Sequence, residues 1–204
     1  MRIPEGLKAH FTGRKLLWAG GLILLGVVGK LLLHPFANIE TVLAASLLAG
    51  YLLGGPYAII VPLSIMAVHD WVAYTVIYQN TYGLGAILGL GFFLASGFVV
   101  ASAMGLGARR PRVVLRTKTV AVLTTVGVAA TLLFDVWTAF GEWLFVDQQR
   151  HSFYYVLQLQ VPFSLLHLIS TLIFVPIFGT LSLFLHEHPA VSPEPEGIAQ
   201  EAPT

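Results

Sequence analysis

The stretch "LLLHPFANIETVL", Leu31–Leu43, places His34, Pro35, Asn38 and Glu40 in one short turn, with Lys30 just ahead of it and apolar runs on either side. A His-Pro step followed by small polar residues stops a helix and reverses the chain. The flanking runs therefore read as two helices of a hairpin. The unusual feature is the number of polar groups gathered into so small a turn.

The surroundings are strongly apolar. Of 204 residues, 56% are hydrophobic and 10% charged. A soluble domain carries roughly 45–50% apolar and about 25% charged residues. So few ions do not cover the surface of a globule this size, and the composition is that of a membrane protein. The net charge of +1 gives no reason to expect a nucleic-acid partner. With no cysteine, disulfides and thiolate metal sites are excluded. Met1–Lys15 is polar and basic, and the run after it is long enough to span, so no cleavable signal peptide is expected.

A membrane span needs about 20 mostly apolar residues at 1.5 Å rise each. Six runs qualify or nearly do: Leu16–Leu33, Ile39–Gly54, Tyr57–Tyr78, Leu84–Leu106, Thr119–Phe145 and Val156–Leu185. The turns between them carry "HPFAN", "GGP" at Gly54–Pro56 and "QNTYG" at Gln79–Gly83. Arg2, Lys8, Arg14 and Lys15 precede the first run, and Arg109, Arg110, Arg112, Arg116 and Lys118 separate the fourth from the fifth. Cytoplasmic loops are enriched in Lys and Arg, so both segments face the cytoplasm. The expected fold is an all-α membrane protein of six transmembrane helices with cytoplasmic N- and C-termini, located in the cell membrane. Residues 1–15 form a basic cytoplasmic segment, 16–186 the transmembrane domain, and 187–204 a Pro- and Glu-rich disordered cytoplasmic tail.

With this orientation the buried polar residues fall in one leaflet. Lys30, His34, Asn38 and Glu40 lie at the outer end of the first hairpin, and Asn80 beyond the outer end of the third span. His69 and Asp70 lie about 20 Å from the inner face. Asp135, Glu142, Gln158, Gln160 and His167 fall in the outer halves of the last two spans. Ionisable groups in a membrane are costly and face a cavity or a partner. The pattern predicts a polar cavity in the outer half of the bundle, closed toward the cytoplasm and suited to catching a small molecule from outside.

Asp135, Thr138 and Glu142 are spaced i, i+3, i+7 and share one helix face. Trp71, Tyr74 and Tyr78 repeat that spacing on the third span, and Phe163, His167 and Phe174 nearly do on the sixth. Aromatic faces beside carboxylates suit a flat or heterocyclic ligand. Thiamine-like, corrinoid-like and purine-like molecules all satisfy that description. Each group also has a plainer use: the aromatics as an interfacial belt, His69 and His167 as packing histidines, Lys30 as a snorkelling side chain.

Two further patterns stand out. "HDWVAYTV" at His69–Val76 resembles "FDVWTAFG" at Phe134–Gly141, which suggests a 3+3 internal repeat. Small residues recur every fourth position at Ser46, Gly50 and Gly54, with Ala45 and Ala49 alongside, and at Gly97, Ala101 and Gly105. Such stripes let helices approach closely, either within the bundle or against another membrane subunit. Pro62 and Pro176 are expected to kink their helices.

Three segments in order carry a family resemblance: "HPFANIETVLAASLLAGYLLGGPYAIIVPLSIMAVHDW" at His34–Trp71, "LLFDVWTAFGEW" at Leu132–Trp143, and "QLQVPFSLLHLISTLIFVPIFG" at Gln158–Gly179. Together they resemble the substrate-binding S components of energy-coupling-factor (ECF) transporters. The resemblance implies a membrane-embedded, non-enzymatic subunit for uptake of a vitamin or related micronutrient, without a cofactor of its own. Its implied partners are a transmembrane coupling protein and two cytoplasmic ATPases. By position, Asn38, Glu40, Asp70, Asp135, Thr138 and His167 would line or frame the pocket, joined from the spacing argument by Trp71, Tyr74 and Glu142. The Ala-x-x-x-Ala docking motif of that family's first helix is found here at Ala45 and Ala49, on the second. Thr171 stands where the family pattern has Asn.

The alternatives from other classes are a stand-alone carrier, a structural membrane protein, or a membrane enzyme using Asp70, Asp135 and histidines as acid–base groups. No nucleophile motif or phosphate loop accompanies those groups. "MRIPEG" resembles the N-terminus of nickel and cobalt binders in the same transporter class, which use a His at position two. Arg2 occupies it here, leaving His34, His69 and His167 as the nitrogen ligands such a site would need.

Overall fold

A computed structural model describes residues 12–36, 38–39, 41–72, 84–109 and 115–187. Every regular element among them is helical. α1 is Gly13–Leu32, and α2 is Val42–Leu48 continued by a π-helical turn Ala49–Leu53. α3 is Tyr57–Val72 and α4 is Leu84–Ala108. α5 is Thr117–Glu142, continued by a second π-helical turn Trp143–Asp147, and α6 is Phe153–Glu187. Glu40, Tyr74, Tyr78, Asn80, Tyr82, the first eleven residues and the tail from residue 188 lie outside the described residues.

Among the described residues, four helices are long and apolar enough to cross a membrane: Gly13–Leu32, Ile87–Ala108, Thr117–Asp147 and Phe153–Glu187. The last two have 31 and 35 residues, roughly 47 and 53 Å of helix against a hydrocarbon core of about 30 Å. Val42–Leu53 and Tyr57–Val72 are apolar but shorter. The molecule's outer surface is apolar along its length, with Leu17, Leu24 and Leu32 on α1 and Leu165, Ile169, Leu172 and Ile177 on α6 all exposed. Exposed apolar area on this scale, on helices long enough to span, fits a lipid environment.

α2 is the centre of the bundle. Every residue from Val42 to Leu53 is buried, and the helix touches the five other helices among the described residues. The small-residue stripe explains how. Ala45, Ser46, Ala49 and Gly50 face inward, and a Cβ on Gly50 would collide with the Ser102 carbonyl of α4. A Cβ on Gly105 of α4 would collide in turn with the Leu47 carbonyl. The two backbones meet without intervening side chains. The stripe, Gly54 included, is therefore enclosed by the bundle. Of its two readings it takes internal packing, and it presents no surface to a partner.

One end of the bundle is tied by two arginines and a glutamate. Arg14 donates to the His186 carbonyl at 2.8 Å, Arg109 to the Leu53 carbonyl at 3.3 Å, and the Leu115 N–H to Glu187 Oε1 at 2.6 Å. The opposite end carries the Leu33–Ile39 turn and the segment from Trp143 to Ser152. α3 runs through Pro62 and α6 through Pro162 and Pro176 without leaving the helix. α2 leaves its π turn through a Gly54 N–H to Ala49 carbonyl bond of 3.1 Å, and Gly54 and Gly55 then adopt φ of 61° and 53°, left-handed values open to glycine.

Candidate functional site

A carboxylate and an imidazole meet between α5 and α6. Asp135 and His167 are 3% and 2% exposed, and His167 Nδ1 lies 2.8 Å from Asp135 Oδ1. The carboxylate accepts, so Nδ1 carries the hydrogen. One turn nearer the basic end, the Thr131 and Thr171 hydroxyls meet at 2.6 Å. Because α5 and α6 run antiparallel, steps of four in opposite directions keep both pairs on the same seam. Thr171, the departure from the ECF pattern, is thus half of a buried hydrogen bond. Phe134 presents its ring edge-on to His167 at 5.4 Å and packs on Phe98 at 4.5 Å.

Beside this seam lies a cavity of about 380 Å³, within the range of small-molecule sites. Its polar wall is Asn38, Asp135, Thr138, Glu142 and Gln160. Its apolar wall is Leu90, Phe93, Leu94, Phe134, Val146 and Phe163. Glu142 and Phe163 are exposed, so the hollow communicates with the surface.

Each polar group is placed by its element. Asn38 sits in the turn after α1, closed by Phe36 N–H to Leu33 carbonyl and Ile39 N–H to Phe36 carbonyl bonds of 2.8 and 3.2 Å. Its φ of 57° is a left-handed conformation that asparagine tolerates better than most side chains. The Thr138 hydroxyl donates back along α5, to the Phe134 carbonyl at 2.9 Å, with the Asp135 carbonyl at 3.3 Å. Its lone pairs remain for an incoming donor. Gly141 lets the Phe93 ring lie directly on α5, where Trp137 packs against it at a tilt, 4.6 Å between ring centres. Trp137 is fixed by its indole N–H to Ser96 Oγ at 2.9 Å.

Of the residues expected at the site, Asn38, Asp135, Thr138 and Glu142 line this cavity, and His167 stands behind Asp135 as its partner. Asp70 and Trp71 do not join them. Asp70 is half-buried, 3.1 Å from His69 Nδ1, with Oδ2 facing α4 at Gly91. Trp71 is 70% exposed. Glu40 and Tyr74 fall outside the described residues. Lys30 turns its ammonium over the Phe98 ring at 5.8 Å. His69 and His167 are held by different carboxylates, and no cluster of three or more His, Asp or Glu among the described residues is arranged for a metal ion. Leu90, Phe93, Leu94, Phe134 and Val146 were not anticipated, because helices this apolar give no periodic signal for which side faces a cavity.

These features define a class: a helical membrane protein whose bundle holds a cavity with an acidic polar wall. The chain belongs to DUF6580, a family of unknown function whose model matches residues 11–191. No curated protein and no solved structure matches it.

Proposed function

We propose that the protein is a membrane-embedded binding subunit for uptake of a small micronutrient, working like the S component of an ECF-type transporter. In this reading α2 and α3 complete a six-span bundle, built as a 3+3 repeat, in the cell membrane. The basic end and both termini face the cytoplasm, and the cavity faces out.

The carrying observation is convergence. Side chains from the Leu33–Ile39 turn, α4, α5 and α6 build one cavity. Its deepest carboxylate is held by a buried histidine on a neighbouring helix. A carboxylate inside a membrane bundle is expensive unless something uses it. The enclosed Ala45–Gly54 stripe means that a coupling protein and its two ATPases would engage another face.

Native mass spectrometry of the purified protein tests the reading. A small-molecule adduct is expected on the wild type and absent from Thr138→Trp, which fills the cavity. No adduct on either, with no thermal shift across a vitamin panel, would count against it. Co-purification of an ATPase separates coupled transport from a stand-alone carrier.

A further inference from the structure

The cavity's polar wall is short of donors. Asp135 Oδ1 is engaged by His167, while Oδ2, on a side chain 3% exposed, has no hydrogen-bond partner among the described residues. Thr138 gives its proton to its own helix. Glu142, seven residues on, adds a second carboxylate roughly 10 Å farther along α5 toward the mouth. Among the described lining residues, only Asn38 and Gln160 bring both a donor and an acceptor, and none is a lysine or arginine.

An engaged-on-one-side carboxylate in a low-dielectric site is stabilised by a donor that is also positively charged. Phe93, Phe134 and Phe163 add aromatic rings to the lining, and aromatic rings attract cations. The geometry points to a compact organic cation bearing at least one N–H, such as an amidinium, a protonated amine or a protonated heterocycle. Its N–H pairs with Asp135 and its apolar body lies against the three phenylalanines. This assignment rests on the reading of the cavity as a binding site, and it names the charge and donor type of what enters.

Benzamidine, benzamide and benzoate have nearly one shape and carry a positive, no and a negative charge. Their binding to the purified full-length protein in detergent, at neutral pH, is the test. Benzamidine is expected to bind at least about tenfold tighter than benzamide, with benzoate weaker again. Asp135→Asn should level the series. Glu142→Gln, at the exposed rim and clear of the histidine pair, should narrow it, so that a folding defect in the first variant does not decide the matter. Equal binding of all three, or preference for benzoate, overturns the cation assignment and leaves a binding site. Absence of binding by all three overturns the site itself.

Discussion

At the scale of single residues, Asp135 and His167 hold the site together. A buried pair in a membrane is stable only while both members are present, because removing one leaves the other unsatisfied. His167→Ala or Asp135→Ala should each lower unfolding stability in detergent by about 3–5 kcal/mol. The double variant should lose clearly less than the sum, the mark of two groups that stabilise each other. Additive losses would mean that the pair contributes no coupling. The spacing of Asp135, Thr138 and Glu142 was enough to place all three on one wall, since i, i+3, i+7 fixes a helix face whatever surrounds it. The same arithmetic applied to Trp71 did not tell which way the face looks. In water an aromatic stripe turns inward. In lipid both sides of a helix are apolar, and Trp71 faces out. The apolar half of the cavity was illegible for the same reason.

Among the elements, α2 departs most from its sequence reading. It is the shortest apolar helix and the most deeply enclosed, and its glycines serve contact with α4 rather than docking. A small-residue stripe reads the same whether its neighbour belongs to this chain or to another, so sequence leaves the choice open. Gly50→Ala and Gly105→Ala should each destabilise by about 1–3 kcal/mol, because the obstructing atoms are backbone carbonyls of Ser102 and Leu47 that cannot turn aside. Gly20→Ala, on α1 with nothing within 4 Å of the added methyl, should stay within about 0.5 kcal/mol of wild type. Thermal unfolding in detergent reads all three. If Gly50→Ala proved as silent as Gly20→Ala, α2 and α4 would not meet backbone to backbone. Helix boundaries were largely legible, with α1, α4, α5 and α6 starting or ending within a few residues of their apolar runs. The π-helical turns at Ala49 and Trp143 were not, because a change of hydrogen-bond register leaves no compositional trace.

For the molecule as a whole, the division of labour is between its two ends. Arg14, Arg109 and Glu187 tie the elements at one end, while the cavity opens near the Asn38 turn and Glu142 at the other. The proposed orientation comes from the Lys and Arg counts, and the proposed outward side of the cavity from the depth of the carboxylates, both read from sequence. The chain has no cysteine, so single introduced thiols report their own exposure without background. In sealed right-side-out vesicles, a membrane-impermeant maleimide should label Gln149→Cys and leave Lys118→Cys untouched, since Gln149 lies just past one end of the long span Thr117–Asp147 and Lys118 at its other end. The central claim is tested most directly by Thr138→Cys, inside the cavity, under the same conditions. The account predicts labelling from the external side, lost when Glu142→Trp closes the rim. A thiol that reacts only after the vesicles are opened, or not at all while Gln149→Cys reacts, would contradict an outward-facing site.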